Sequence, residues 1–465
     1  RLAQSLLKGE LRADYPAAHD LLSNRNPRVN DIDIGGGPRV LQPDRVTAEA
    51  VSAVVRSLDS SYLFIQGPPG SGKSTIGSQV ICDLLERGKR VAVTSTSHKA
   101  IHGLLHKVEA CIADRRKTFR GRYKHSLTSG DSEYRSQLAS PLIESVKDNA
   151  LLEGDNYELA GGTSWLFARE ELAGKFDYLF IDEAGQVALA DALAVSQSAK
   201  NLVLLGDPSQ LAQVSQGRQP LHASDSVLQH LLGDAQTIPQ DRGIFLDLSY
   251  RMQPEICAFV SKAMYDERLR AAPSTSMHRV ILEERDLAGL YFVPTEHAGN
   301  GASSVEEANE IARQIALLHQ RGMVVDSQPS AFAGVPRPLT VRDIIVVTPY
   351  NAQRRLITKK LREAGLDVAV GTVDKFQGQE AAVVFYSMAT SGGEDIPRDM
   401  EFLFERNRFN VAVSRARAAT VLICSPRLLD ISCRTPEQMA LVNLLCGFAE
   451  DAGGRTLPEP LPLLR

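Results

Sequence analysis

The chain has 465 residues, 43% of them hydrophobic and 23% charged, with a formal net charge of −4. That length exceeds one compact core and implies about two or three domains of ordinary size. Mild acidity excludes a protein that coats nucleic acid by bulk charge, so any such site must be a local groove.

Six scattered cysteines, Cys82, Cys111, Cys257, Cys424, Cys433 and Cys446, form no C-x-x-C pair, which disfavours zinc or iron–sulfur binding and points to reduced thiols. There is no secretory signal and no apolar run long enough for a bilayer span, so a cytoplasmic protein without membrane contact is expected. The chain begins at Arg1 rather than Met, and a piece of a longer protein is expected.

Residues 1–39 read as an N-terminal connector, a short helix feeding the irregular Asn24-Arg25-Asn26-Pro27 and Gly35-Gly36-Gly37-Pro38. Helical spacing over Ala48 to Leu58 then leads to the apolar strand Tyr62-Leu63-Phe64-Ile65. It delivers Gly67-Pro68-Pro69-Gly70-Ser71-Gly72-Lys73-Ser74-Thr75, which fits G-x-x-x-x-G-K-[ST] throughout. Glycines let successive N–H groups face the phosphates of a nucleoside triphosphate, Lys73 adds a point charge, and Ser74 offers its hydroxyl to Mg²⁺. The helix that follows, Thr75 to Glu86, aims its positive end at the same phosphates.

Arg90 to Thr94 is a second strand, ending in Ser95-Thr96-Ser97 with His98 and Lys99. Those hydroxyls serve either as a helix cap or as contacts to a polymer phosphate. From about 107 to 159 the periodicity fades, and an insertion is expected there. Its basic run, Arg115-Arg116-Lys117 with Arg120, Arg122 and Lys124, reads first as a solvated face and otherwise as a nucleic-acid contact.

Asp177 to Ile181 is an apolar strand that delivers Asp182-Glu183-Ala184-Gly185-Gln186. Asp182 suits the metal and Glu183 the attacking water, since phosphoanhydride hydrolysis depends on positioning and charge neutralisation. Leu202 to Leu205 leads to Gly206-Asp207-Pro208-Ser209-Gln210-Leu211, where Gln210 is placed to touch the γ-phosphate or the water. Further on, Ile344 to Val347, Val383 to Tyr386 and Thr420 to Cys424 are strands separated by helical segments, a second parallel α/β domain without a phosphate loop. Pro239 and Asp241-Arg242-Gly243 read as the hinge, giving domains of 40–238 and 239–450 and a tail of 451–465.

GPPGSGKST, DEAGQ, GDPSQL, LSYRMQP, TPYNAQ, VGTVDKFQGQE and RFNVAVSRAR, in that order, resemble the successive motifs of superfamily 1 helicases. More narrowly they resemble the 1B branch, with its nonsense-mediated-decay and Okazaki-fragment helicases. FDYLFIDEAGQVALADALA, LLGDPSQLAQVSQG and HDLLSNRNPRV resemble the C-terminal helicase half of bacterial RecB-like nuclease–helicase fusions, which would put a nuclease domain before Arg1.

The resemblance implies an α/β fold of two tandem RecA-like P-loop domains, each a parallel sheet flanked by helices, with ATP and Mg²⁺ between them and a single strand across both. It implies a 5′ to 3′ translocase and helicase, with DNA favoured over RNA. By position it makes Arg251 and Arg415 arginine fingers and Glu380 a contact to the nucleotide sugar. Ser95, Thr96, His98, Thr163, Tyr350, Arg354 and Thr372 become contacts to the polymer.

Trp165 is either a base-stacking side chain or, flanked by Leu166 and Phe167, a packed one; packing is the expectation. Helicases of this branch carry an adenine-reading glutamine ahead of the loop, where Asp44 to Ala50 has none and Gln42 is the nearest candidate. Two rival readings are a remodelling ATPase that strips proteins from nucleic acid and a regulatory module that clamps a strand without turnover.

Overall fold

The computed structural model describes residues 2–30, 40–125, 132–211, 225–283, 285–327, 333–376, 378–455 and 457. Among them, no helix is long and apolar enough to cross a membrane. The chain forms two units: the first is built from Arg1–Pro68, Gly72–Pro208 and Ala212–Asp247, the second from Pro69–Ser71, Ser209–Leu211 and Leu248–Arg465. Gly35 to Pro38 and Gln377 of the QGQE motif lie outside the described residues.

In the first unit, helices α1 (Leu2–Lys8), α2 (Leu11–Asp14), α3 (Pro16–Leu22) and α4 (Ala48–Arg56) precede β1 (Tyr62–Gln66). Then come α5 (Lys73–Glu86), β2 (Val91–Thr94), α6 (His98–Asp114), β3 (Gly121–Lys124), β4 (Ile143–Val146), β5 (Leu159–Gly161) and α7 (Ser164–Phe167). β6 (Phe176–Ile181), α8 (Leu189–Ser196), β7 (Ala199–Gly206), α9 (Val227–Leu232) and β8 (Gly243–Phe245) complete it. The strands form one sheet in the order β4-β3-β5-β2-β6-β7-β1-β8, with every pair parallel. β1 and β2 are buried throughout, as continuous apolar runs must be in a parallel sheet covered on both faces. Thr47 and Ser97 cap α4 and α6 by accepting from Ala50 N and Ala100 N, each at 3.2 Å.

Three expected boundaries change. Residues 107–159 are no insertion hung from the domain, because β3, β4 and β5 extend its sheet. β3 alternates buried and half-buried residues, so it lacks the apolar run by which strands were sought. The basic residues are largely paired: Arg115 with Glu86 at 3.0 Å, Arg120 with Glu158 at 3.3 Å, and Arg122 over the Tyr157 ring.

The described part of 1–39 packs on the first unit instead of acting as a free connector. Leu11, Ala17, Ala18 and Leu21 are buried, and buried Asp20 accepts from Arg28 at 2.6 Å and Ser61 at 2.8 Å. The units divide after Asp247, not after 238. Gly243–Phe245 pairs with β1, and the proposed hinge is a closed turn in which Arg242 N and Gly243 N both donate to Pro239 O.

The second unit begins with β9 (Leu248–Ser249), α10 (Pro254–Met264), β10 (Arg270–Ala271), β11 (Arg279–Ile281), β12 (Gly289–Pro294), α11 (Val305–Arg321), β13 (Met323–Val325) and β14 (Arg337–Pro338). It continues with β15 (Ile344–Val347), α12 (Asn351–Glu363), β16 (Ala369–Gly371), β17 (Ala381–Ser387), α13 (Met400–Leu403), α14 (Arg406–Val413), β18 (Ala416–Cys424) and α15 (Pro436–Asp451). Its main sheet, β12-β18-β17-β15-β16, is again wholly parallel. Both units are thus parallel α/β layers, each with its own apolar core, as two tandem RecA-like domains require.

A buried polar knot sets the strand ends of the second unit. Glu307 of α11 accepts from His297 Nε2 at 3.0 Å, Ser387 Oγ at 2.6 Å and Ala389 N at 2.9 Å. Gln353, in the first turn of α12, donates to Ser387 Oγ at 2.9 Å. Removing the carboxylate strands three buried donors, so Glu307→Ala is expected to destabilise this unit by about 3–5 kcal/mol. Lys359→Ala, at an exposed ion pair with Glu363, should cost under ~1 kcal/mol. Urea unfolding of both variants, followed on the second unit's transition, checks the contrast.

On the first unit, His102 of α6 packs edge-on to the Tyr123 and Tyr134 rings. Burial first, then His98 and His106, push it down to about 4. Unfolded histidine titrates near 6.5, so between these values the unfolded chain binds more protons and stability is lost as pH falls from about 6.5 to 4. His102→Phe should flatten that part of the pH–stability curve, read by thermal melts across the window.

Candidate nucleotide site and nucleic-acid face

β1 ends at Gln66, and the chain turns through Gly70 and Gly72, both left-handed with φ of 75° and 78°, before α5 begins at Lys73. A Cβ on Gly67 would lie 2.8 Å from the Lys73 side chain, so only glycine lets the lysine fold back over the loop. Ser71 Oγ is buried with no hydrogen-bond partner among the described residues.

Lys73 Nζ lies 3.3 Å from Glu183 Oε1. Burial alone would lower its pKa, but Glu183, Asp182 and Asp207 outweigh it and hold the ammonium above its usual value. Asp182, buried at the end of β6, is pushed up to about 6 by burial and Glu183, against the pull of Lys73. Its Oδ1 accepts from Glu183 N at 2.9 Å.

Glu183 has φ of 53°, a left-handed conformation that is strained outside glycine and gathers at functional sites. The turn holding it is wedged against the one after β7. A Cβ on Gly185 would meet Asp207 O at 2.8 Å, and one on Gly206 would meet Gly185 N at 2.9 Å. The DEAGQ and GDPSQ motifs therefore meet backbone to backbone, which no larger residue at these two positions would permit.

An orphaned hydroxyl, a charged lysine and a carboxylate whose burial calls for a cation fit a phosphate chain with Mg²⁺. Ser74, partly buried in the first turn of α5, and Asp182 are the groups that would hold the metal. Gln210 stands half-buried in the turn after β7.

Sequence reasoning missed Lys107. Its Nζ donates to Thr75 Oγ1 at 3.2 Å, and burial, then Lys73, lower its pKa against the opposing pull of Asp182. No motif marks it; the packing of α5 on α6, where Cys82 Sγ reaches Val108 O, brings it there.

Within the second unit, Arg251 Nε donates to Glu380 Oε2 at 2.7 Å and Nη1 to Ser414 O at 3.2 Å. Burial alone would raise the Glu380 pKa, but Arg251 and Arg417 hold it below the usual range. Arg415 is buried and donates to Gln379 O at 3.2 Å. Arg251, Arg415 and the Glu380 segment are thus brought together.

The expected polymer contacts divide. Thr96 is exposed and donates to Gln186 Oε1 at 3.4 Å. Half-buried His98 pairs with Tyr123 Oη, and burial, then His125 and Lys124, lower its pKa. Thr163, Arg354 and Thr372 are partly exposed.

Ser95 is instead only 1% exposed, its hydroxyl without a hydrogen-bond partner among the described residues. Its hydroxyl is therefore not presented to solvent at the end of β2. Tyr350 is likewise buried, its ring packed on Phe402 at 5.8 Å. Trp165 reverses the expectation of packing: it is 88% exposed, because α7 is a single turn whose buried side is filled by Leu166 and Phe167.

Both ends of the Gln42 side-chain amide are taken up by the backbone of β8. The amide donates to Phe245 O at 3.2 Å and accepts from Phe245 N at 2.7 Å, clasping β8 as a strand would. Gln42→Ala should therefore leave the ratio of KM for ATP and GTP unchanged within about twofold while lowering the melting temperature. Steady-state hydrolysis with both nucleotides measures the first, and a shifted ratio would place a base reader at this position.

Two models described as an AAA domain match residues 46–230 and 223–427. Among curated relatives, DNA polymerase alpha-associated DNA helicase A of Schizosaccharomyces pombe is 25% identical over 404 residues, covering 76% of this chain and 59% of the relative. The DNA replication ATP-dependent helicase/nuclease dna2 of the same yeast is 24% identical, covering 80% of this chain and 27% of the relative. A regulator of nonsense transcripts 1 homologue of Drosophila melanogaster is 23% identical over 86% of this chain and 35% of its own. The chain spans less than two thirds of the length of each of these relatives. Over most of its length the chain is thus similar to known nucleic-acid helicases.

Proposed function

We propose that the chain is an ATP-driven motor that steps along single-stranded nucleic acid and separates duplexes. DNA is its favoured track and 5′ to 3′ its direction. The observation that carries the reading is the placement of Glu183 against Lys73, with Asp182 beside them, since a module that only bound nucleotide would need no carboxylate set at the γ-phosphate end. DNA is favoured by the names of two relatives, and the direction rests on the likeness to the 1B branch. Cytoplasmic location and a nuclease domain ahead of Arg1 belong to the same reading.

In this mechanism the Gly67 to Thr75 backbone and Lys73 hold the phosphates. Bound Mg²⁺, held by Ser74 and Asp182, would neutralise phosphate charge. Glu183 orients the attacking water and accepts its proton, and Gln210 positions the water or the γ-phosphate. Arg251 and Arg415 meet the charge that develops on the transferred group, a contribution of ~10³–10⁵ in rate for such arginines. Glu380 serves the nucleotide sugar, and Thr96, His98, Thr163, Arg354 and Thr372 grip the strand by its backbone. The burial of Ser95 and Tyr350 takes both out of direct contact.

Glu183→Gln should cut hydrolysis by at least about 10² while preserving nucleotide binding, and Lys73→Ala should lose both. ATP turnover with and without single-stranded DNA and RNA, in wild type and both variants, tests the reading. Absence of stimulation by either polymer, or near-normal turnover in Glu183→Gln, would reject it.

A further inference from the structure

The proposed motor needs a way to hold bases as well as phosphates, and the first unit exposes an aromatic side chain suited to the first task. Trp165 is the sole tryptophan of the chain, and its side chain is 88% exposed. Such an indole has a large apolar face open to contact.

Its setting is stiff. At Gly162, three residues earlier, the backbone approaches the Leu166 side chain so closely that a Cβ would stand 2.6 Å from its terminal methyl. Leu166 and Phe167 are buried, and Phe167 packs edge-on to Phe176 at 5.8 Å. Leu166 N donates to Thr163 O at 2.9 Å and Ala168 N to Ser164 O at 3.0 Å, while Gln197 Nε2 donates to Ala168 O at 2.6 Å. The turn is tied at both ends, and the indole projects from it without conformational slack in the backbone.

Its place in the sheet selects the ligand. Trp165 follows β5, whose neighbours β2 and β3 end at Thr94 and Lys124. All three strands are parallel, so Trp165, Thr96, His98 and Lys124 share the carboxyl edge, where ligands of such sheets bind. The residues flanking the indole in the chain, Thr163, Ser164 and Arg169, are partly exposed polar groups and not an apolar patch of the kind that docks protein or lipid. Arg169 is held by Glu153 at 3.7 Å and Glu171 at 3.0 Å, so the phosphates of a strand would fall to Thr96, His98 and Lys124 on the same carboxyl edge, and an aromatic face beside them suits a nucleobase.

We propose that Trp165 is a base-stacking platform for single-stranded nucleic acid, an inference that rests on the motor reading above. Stacking tolerates every base, so it adds affinity without sequence preference, worth ~1–3 kcal/mol per base.

The single tryptophan makes the test direct, because its emission comes from Trp165 alone. The protein is titrated with oligodeoxythymidine and with an abasic oligomer of equal length while emission is read. Anisotropy of fluorescein-labelled copies, and of a labelled oligoribonucleotide, reports total binding in parallel. The thymidine strand should quench emission strongly and the abasic strand weakly. Trp165→Ala should raise Kd for the thymidine strand about tenfold and erase its advantage over the abasic strand, with Trp165→Phe keeping part of it and serving as the better-folded variant.

Binding by anisotropy with unchanged emission, or equal quenching by both strands, would overturn the platform and leave the motor reading intact. Kd unchanged in both variants would do the same. Absence of binding by any DNA or RNA strand would remove the motor reading and the platform together.

Discussion

A buried lysine that keeps its charge is the constraint on which the first unit depends. Taking an ammonium out of water costs several kcal/mol unless partners compensate, and Lys73 finds Glu183, Asp182 and Asp207. Those carboxylates arrive on two strand ends, so β6 and β7 must stop level with each other beside β1. Their pairing enforces this: Ile181 faces Leu204 in β7, and Tyr62 to Gln66 of β1 pairs with Leu202 to Gly206. Crowding so much charge into one place leaves Asp182 raised to about 6 and Glu183 in a left-handed backbone. Strain of that kind persists only where surrounding structure over-determines it, and the close approach of Gly185 to Asp207 O supplies the clamp.

The second unit solves a related problem without a phosphate loop. It keeps a carboxylate, Glu307, wholly inside, but satisfies it with the donors of His297, Ser387 and Ala389. The result is a fixed strand end instead of an open charge. This locks the start of α12 through Gln353 and leaves the exposed cation chemistry of the unit to other elements. The ion pairs around Arg251, Glu380 and Arg417 gather at the ends of β17 and β18, again the polar termini of apolar strands.

What the sequence revealed follows from how local each signal was. The phosphate loop was legible because glycine spacing, the lysine and the apolar strand sit within a few residues of one another, and DEAGQ because an apolar run announces its own end. The outer strands β3 and β4 were not legible: Gly-Arg-Tyr-Lys and Ile-Glu-Ser-Val are half polar, and only pairing, of β3 with both β4 and β5, makes them strands. β8 escaped for a like reason, since three residues carry no period and Gly243 is fixed by Phe64 O, 2.3 Å from where a Cβ would stand. Trp165 was misread because two apolar neighbours in a chain suggest a shared interior. In a single helical turn, successive side chains instead point about 100° apart, and the buried side was already taken. Lys107 and Gln42 could not have been placed from spacing, because each is defined by a partner far along the chain.

In the first unit the DEAGQ turn and the loop after β2 are joined directly. Glu183 and Gln186 bound one short turn, and Gln186 Oε1 is the acceptor for Thr96, two residues before His98. On the motor reading, a triphosphate that displaced the Glu183 carboxylate would act on a turn whose far end touches the loop after β2. Coupling between two sites requires a ligand to favour one arrangement of a shared element over another. The DEAGQ turn is such an element: its left-handed residue is strained in the present arrangement, so a ligand that relieves or redirects Glu183 changes its balance. If the motor reading holds, hydrolysis at Glu183 and strand grip at Thr96 would need no long relay, since one strained turn and one hydrogen bond span the distance between them.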